Sequence, residues 1–183
     1  PEQLARAYPH ELSGGQRQRI MIAMALACYP QLIIADEPTT ALDATVQKQV
    51  LRLLNAAVRE RGSALLMITH DLPIIAAMCD SVAVMYAGRI VEIGPVKEVF
   101  RRPRHHYTKG LLDSQPTMDN IALDGSSRLA SIPGMVPPLH SLPKGCAFHP
   151  RCAAASETCR SAIPELAGDD GQAACWHPVG VSV

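Results

Sequence analysis

Two short apolar runs, QLIIA at residues 31–35 and SALLMIT at 63–69, limit the fold of this chain more than any other feature. Neither alternates with polar residues, and a continuous run of this length marks a strand covered on both faces. Between them, Val46, Val50, Leu53, Leu54, Ala57 and Val58 recur at helical spacing in ATVQKQVLRLLNAAVRER. Asp43 stands where an N-cap belongs, and Gly62 where the helix must stop. Strand, helix and strand in this order predict an α/β layer.

The pattern extends to both sides. A helix begins at Ser13, runs through GGQRQRIMIAMALACY and ends before Pro30. DLPIIAAMCD predicts another helix, and SVAVMY and RIVEIG around Ala87-Gly88 read as a hairpin. After residue 94 proline becomes frequent and periodicity fades, so the chain from residue 115 onward is expected to form loops and a small appended module. The 183 residues are 48% apolar, enough for a sizeable core. Lys plus Arg and Asp plus Glu balance at 17 each and aromatics make up only 4%, which speaks against a basic, aromatic-lined surface and a nucleic-acid partner. The longest apolar stretch, IMIAMALACYPQLIIA, is broken by Pro30 and Gln31 and falls short of the roughly 18 residues of a membrane span. No basic-then-apolar leader opens the chain, so a soluble or peripheral cytoplasmic protein is expected.

Three motifs carry chemistry. In LIIADEP, a buried strand ends in Asp36 and Glu37, which places two carboxylates at the edge of a parallel sheet where ligands bind. In a nucleotide hydrolase the first suits Mg²⁺ and the second can polarise water; the plainer alternative is a helix cap or turn. In LSGGQ, Ser13, Gly14, Gly15 and Gln16 open a helix whose backbone N–H groups can meet an anion, although an ordinary Ser-capped start accounts for the same residues. In MITHD, His70 closes the second strand and shares the edge of Asp36 and Glu37 if the strands are parallel.

LSGGQRQR, LIIADEP, TALD and ITHD, in this order and spacing, resemble the signature motif, Walker B strand, D-loop and switch histidine of an ATP-binding cassette (ABC) ATPase. The resemblance implies a P-loop NTPase-type fold, with Ser13, Gly14, Gly15 and Gln16 on the γ-phosphate of ATP held by the opposite protomer. It also implies Asp36 at Mg²⁺, Glu37 as the catalytic carboxylate, Asp43 at the dimer seam and His70 on the γ-phosphate. No stretch fits G-x-x-x-x-G-K-[ST], so the phosphate cradle is missing from these residues and an absent N-terminal half is the expected cause. YPHELSGGQRQRIMIAMALA, RRPRHHYTKGLL and SIPGMVPPLHSLPKGCAFHPRC are similar to the ATPase subunits of bacterial oligopeptide and dipeptide importers, with His106 where the family usually has proline. This implies residues 1–95 as the C-terminal part of the nucleotide-binding domain and 96–183 as a family extension. It further implies a heterodimer with a homologous ATPase, two membrane permeases, an external solute-binding protein, and a peripheral place on the cytoplasmic face of the inner membrane. Importers of nickel, glutathione or antimicrobial peptides, a non-transport cassette protein, and a metal-binding regulatory piece stand as alternatives.

Six cysteines divide by context. Cys28 and Cys79 fall in apolar helical stretches, where a free cysteine acts as a small hydrophobe. Cys146, Cys152, Cys159 and Cys175 fall in a tail with few large apolar residues, where a metal site is the stronger reading, disulfides being disfavoured in a reducing compartment. Their intervals of five, six and fifteen intervening residues fit neither paired zinc ligands nor ferredoxin runs. The preference for a [4Fe–4S] cluster over Zn²⁺ is therefore implied by the resemblance, since some dipeptide-importer ATPases carry one. His149 and His177 are the substitute donors.

Overall fold

A computed structural model describes residues 6–115, 131–168 and 172–180. Packing divides the chain into two compact units, Pro1–Ile74 and Ile75–Val183. This division falls earlier than residue 95, because the hairpin packs with the tail.

In the first unit, α1 (Gly14–Leu26) is followed by β1 (Leu32–Asp36), α2 (Ala44–Arg61) and β2 (Ala64–Ile68). Strands β1 and β2 pair in parallel, with Leu32 opposite Ala64 and Asp36 opposite Ile68, so both chains leave the sheet at the same edge. Ile33 of β1 is buried with Ile22 and Leu26 of α1 and with Val50 and Leu54 of α2. The other face of the pair is open: Leu32, Ile34, Leu66 and Ile68 are 51%, 62%, 49% and 47% exposed. The expectation of strands covered on both faces is corrected here, because one helical layer covers one face.

Helix α1 ends at Leu26 rather than just before Pro30, and its closing turn is held by Arg61, whose Nη1 donates to the Leu26 carbonyl at 2.6 Å. Cys28 consequently lies in the turn and is exposed, which corrects its reading as a packed residue. Gly15 is required by close approach: a Cβ there would meet Val46 Cγ1 of α2 at 2.5 Å.

The boundary between units falls within α3 (Leu72–Met78). The second unit is built on β3 (Ser81–Tyr86) and β4 (Arg89–Pro95), antiparallel through a tight turn at Ala87-Gly88, with helices α4 (Val96–Arg101) and α5 (His106–Asp113) following. Two short elements of the tail, α6 (Glu157–Ser161) and β5 (Gln172–Ala173), come next, and β5 adds to β4 as a third strand. The tail does not lack a core, as its composition suggested; it shares the hairpin's. Phe148 is 3% exposed, edge-on to Tyr86 with centroids 5.2 Å apart and 5.5 Å from Tyr107. Cys79 packs against the same cluster. Among the described residues no helix is long and apolar enough to cross a membrane.

Candidate functional site

Parallel pairing of β1 with β2 brings Glu37 and His70 together beyond the common sheet edge. His70 Nδ1 lies 3.0 Å from Glu37 Oε1, and Thr40 Oγ1 donates to Glu37 Oε2 at 2.7 Å. The carboxylate is therefore gripped at both oxygens. Glu37 is in the left-handed region, φ 43°, a conformation that costs a non-glycine residue about 1–3 kcal/mol. Its backbone N–H donates to the Ile68 carbonyl at 2.8 Å, which fixes the kink to the end of β2. The hydrogen bond from Thr40, then that from His70, holds the Glu37 carboxyl below its ordinary pKa, so the ionised form dominates at neutral pH. Asp36 ends β1 one residue earlier and is exposed. An ionised carboxylate oriented by a threonine and a histidine at an open sheet edge can take a proton from a bound water.

The other motif residues serve helix ends in this structure. Ser13 Oγ accepts from the Gln16 N–H at 3.3 Å and Gln16 Oε1 accepts from the Ser13 N–H at 2.9 Å, forming a capping box at the start of α1. Asp43 Oδ1 accepts from the N–H groups of Thr45 and Val46, each at 3.0 Å, and so caps α2. Gly14 and Gly15 form the first turn of α1.

The four tail cysteines line one cavity, together with His105, Phe148, His149 and His177. Local hydrogen bonding assembles it. The Cys146 N–H donates to the Cys159 carbonyl at 2.8 Å, a short 3-10 turn over His149–Arg151 returns the chain to Cys152, and the pairing of β5 with β4 delivers Cys175. Gly145 makes the first of these bonds available: its φ is +73° and a Cβ would run into the Cys159 carbonyl. Burial is the main cause that raises the thiol pKa values of Cys146, Cys152 and Cys175, the last to about 11. Among the described residues no group of three or more His, Cys, Asp or Glu side chains could hold a metal ion, so the expected metal-binding extension is not shown.

Sequence reasoning missed Thr40, Glu92 and His105. Glu92 is 2% exposed, and its carboxylate accepts from the backbone N–H groups of Arg104 and His105 at 2.7 and 3.0 Å. The one signal for it was a charge inside an apolar strand, RIVEIG. His106, where the importer family usually has proline, has its Nε2 2.9 Å from the His177 carbonyl oxygen, tying α5 to the last segment of the tail.

Residues 91–159 match the family "Oligopeptide/dipeptide transporter, C-terminal region", and residues 1–40 match "ABC transporter". Over these residues the chain is similar to ABC ATPases of the oligopeptide/dipeptide branch. It is 54% identical over 175 residues to the oligopeptide transport ATP-binding protein of Salmonella typhimurium, covering 95% of this chain and 51% of that relative. The corresponding protein of Haemophilus influenzae is 52% identical over 170 residues, with 92% and 51% covered. The chain thus spans about half the length of the curated relatives it matches. A solved dimeric ATP-binding cassette in a post-hydrolysis state with ADP and Pi overlaps at a TM-score of 0.47 and 34% identity, covering 52% of this chain and 41% of that one.

Proposed function

We propose that the chain belongs to the ATP-hydrolysing subunit of a bacterial importer for di- or oligopeptides and couples hydrolysis to uptake. The observation that carries this reading is the grip of His70 and Thr40 on the Glu37 carboxylate at the edge of a parallel strand pair, in a chain similar to this family. In this reading Glu37 accepts the proton of the attacking water and His70 contacts the terminal phosphate. Asp36 holds Mg²⁺ through water, and Asp43 and the α1 start formed by Ser13, Gly14, Gly15 and Gln16 face the ATP of the partner protomer. Residues 1–95 are the nucleotide-binding portion and 96–183 the family extension. A homologous ATPase and two permeases are the partners, an external solute-binding protein feeds them, and the subunit sits peripherally on the cytoplasmic side of the membrane.

In the full-length subunit, Glu37→Gln is expected to keep ATP binding and lower turnover by about 10²-fold or more, as loss of a general base does. ATPase activity close to wild type in that variant would refute the assignment.

The tail cavity fits a four-thiolate centre, for which a [4Fe–4S] cluster is the proposed occupant. Four sulfur donors line it, the number of thiolates that such a cluster takes. Cys146, Cys152, Cys159 and Cys175 would hold the group as thiolates, releasing their protons to solvent, and its contribution would be order in the tail or a redox signal. Anaerobically purified full-length subunit is expected to contain about four irons and four acid-labile sulfides per chain. Stoichiometric zinc without sulfide would overturn the cluster.

A further inference from the structure

We infer that His105 is a hydrogen-bond donor into the four-cysteine cavity, directed at a sulfur of the centre held there, and that it sets the reduction potential of that centre. The inference rests on the iron–sulfur reading of the cavity given above.

His105 is the N-cap of α5, is only 1% exposed, and lines the same cavity as the four cysteines. Its Nδ1 accepts from the Tyr107 backbone N–H at 3.0 Å. A ring nitrogen that accepts carries no proton, so the neutral imidazole must hold its hydrogen on Nε2. Its position is fixed from two sides. The His105 backbone N–H donates to the buried carboxylate of Glu92 at 3.0 Å, and the ring sits 5.7 Å from that of Phe148.

Among the described residues no hydrogen bond from Nε2 is seen, and the ring lines the cavity. The cavity offers it the four sulfurs, beside the bare Nε2 of His149. The same tautomer rules His105 out as a ligand, since a ligating Nε2 must be bare. His149 has the opposite arrangement: its Nδ1 lies 3.0 Å from the Cys146 carbonyl oxygen, which can only accept, so its proton is on Nδ1. A hydrogen bond to sulfur stabilises the more negative, reduced state and raises the potential of the centre.

The test uses full-length subunit purified anaerobically, with acid-labile sulfide measured first and the midpoint potential then titrated by absorbance and electron paramagnetic resonance. His105→Phe keeps the ring against Phe148 and removes the donor, whereas His105→Gln supplies an amide N–H and a carbonyl for Tyr107. The expected result is full sulfide content in both variants, a lower midpoint potential in His105→Phe, and a potential moved back toward wild type in His105→Gln. An unchanged potential in a sulfide-replete His105→Phe protein overturns the inference alone. Wild-type protein without acid-labile sulfide removes the cluster reading itself, and the inference with it, before any variant is made. Should His105→Phe fail to fold, pulsed resonance on reduced wild type labelled with ¹⁵N-histidine decides: a weak histidine nitrogen coupling is expected, and its absence refutes the role.

Discussion

Glu37 shows how one side chain is prepared before any substrate arrives. Its carboxylate has two oxygens and each already has a partner, Thr40 on Oε2 and His70 on Oε1. Thr40 is the larger cause of the lowered pKa, so it is a positioning residue for the proposed base. A base held below its ordinary pKa is competent above the folded-state value and is lost as pH falls through it. Thr40→Val removes the hydroxyl and lets the pKa rise, so the acid limb of the ATPase pH profile in the full-length subunit should move to higher pH. Thr40→Ser should restore the wild-type profile. An acid limb unmoved by Thr40→Val would show that the hydroxyl does not act on the carboxylate. Neither Thr40 nor the left-handed turn at Glu37 was legible from the motif DEPTTALD, because spacing in sequence does not say which of two threonines folds back.

At the scale of elements, α2 was readable almost to the residue, from Asp43 at its cap to Gly62 at its close, because capping and helical periodicity are local. Asp43 has a double reading, as the cap of α2 and as a seam residue, and substitution separates the two. Asp43→Ala is expected to lower the stability of the full-length subunit by about 1 kcal/mol, seen as a drop in Tm, because two backbone N–H groups lose their acceptor. Asp43→Asn keeps the cap, since asparagine caps as well as aspartate. An ATPase defect in Asp43→Asn at wild-type Tm would then report the seam. Strand β5 had no sequence signal: two residues in QAAC carry no alternation, and only the free edge of β4 makes them a strand.

The molecule as a whole places its two candidate sites in separate units, the Glu37–His70 pair in Pro1–Ile74 and the cysteine cavity in Ile75–Val183. Residues 1–183 contain no phosphate cradle, which supplies most nucleotide contacts in this family. A polypeptide of these residues alone is therefore expected to bind Mg-ATP weakly in isothermal titration, and submicromolar affinity would contradict that. The sequence by itself determined the family resemblance, the α/β order of the first unit and the identity of the four converging cysteines, since each rests on residue types at fixed spacing. It also led to errors where burial was inferred from composition. Leu32, Ile34, Leu66 and Ile68 are open although apolar, and Cys28 is exposed in a turn. Only the tertiary structure decided which sheet face is covered, that the tail borrows the core of the hairpin through Phe148, and that His105 lines the cavity of the four cysteines. The physical reason is common to all three: burial and hydrogen-bond partnership depend on residues far apart in the chain, and local pattern carries no record of who arrives opposite.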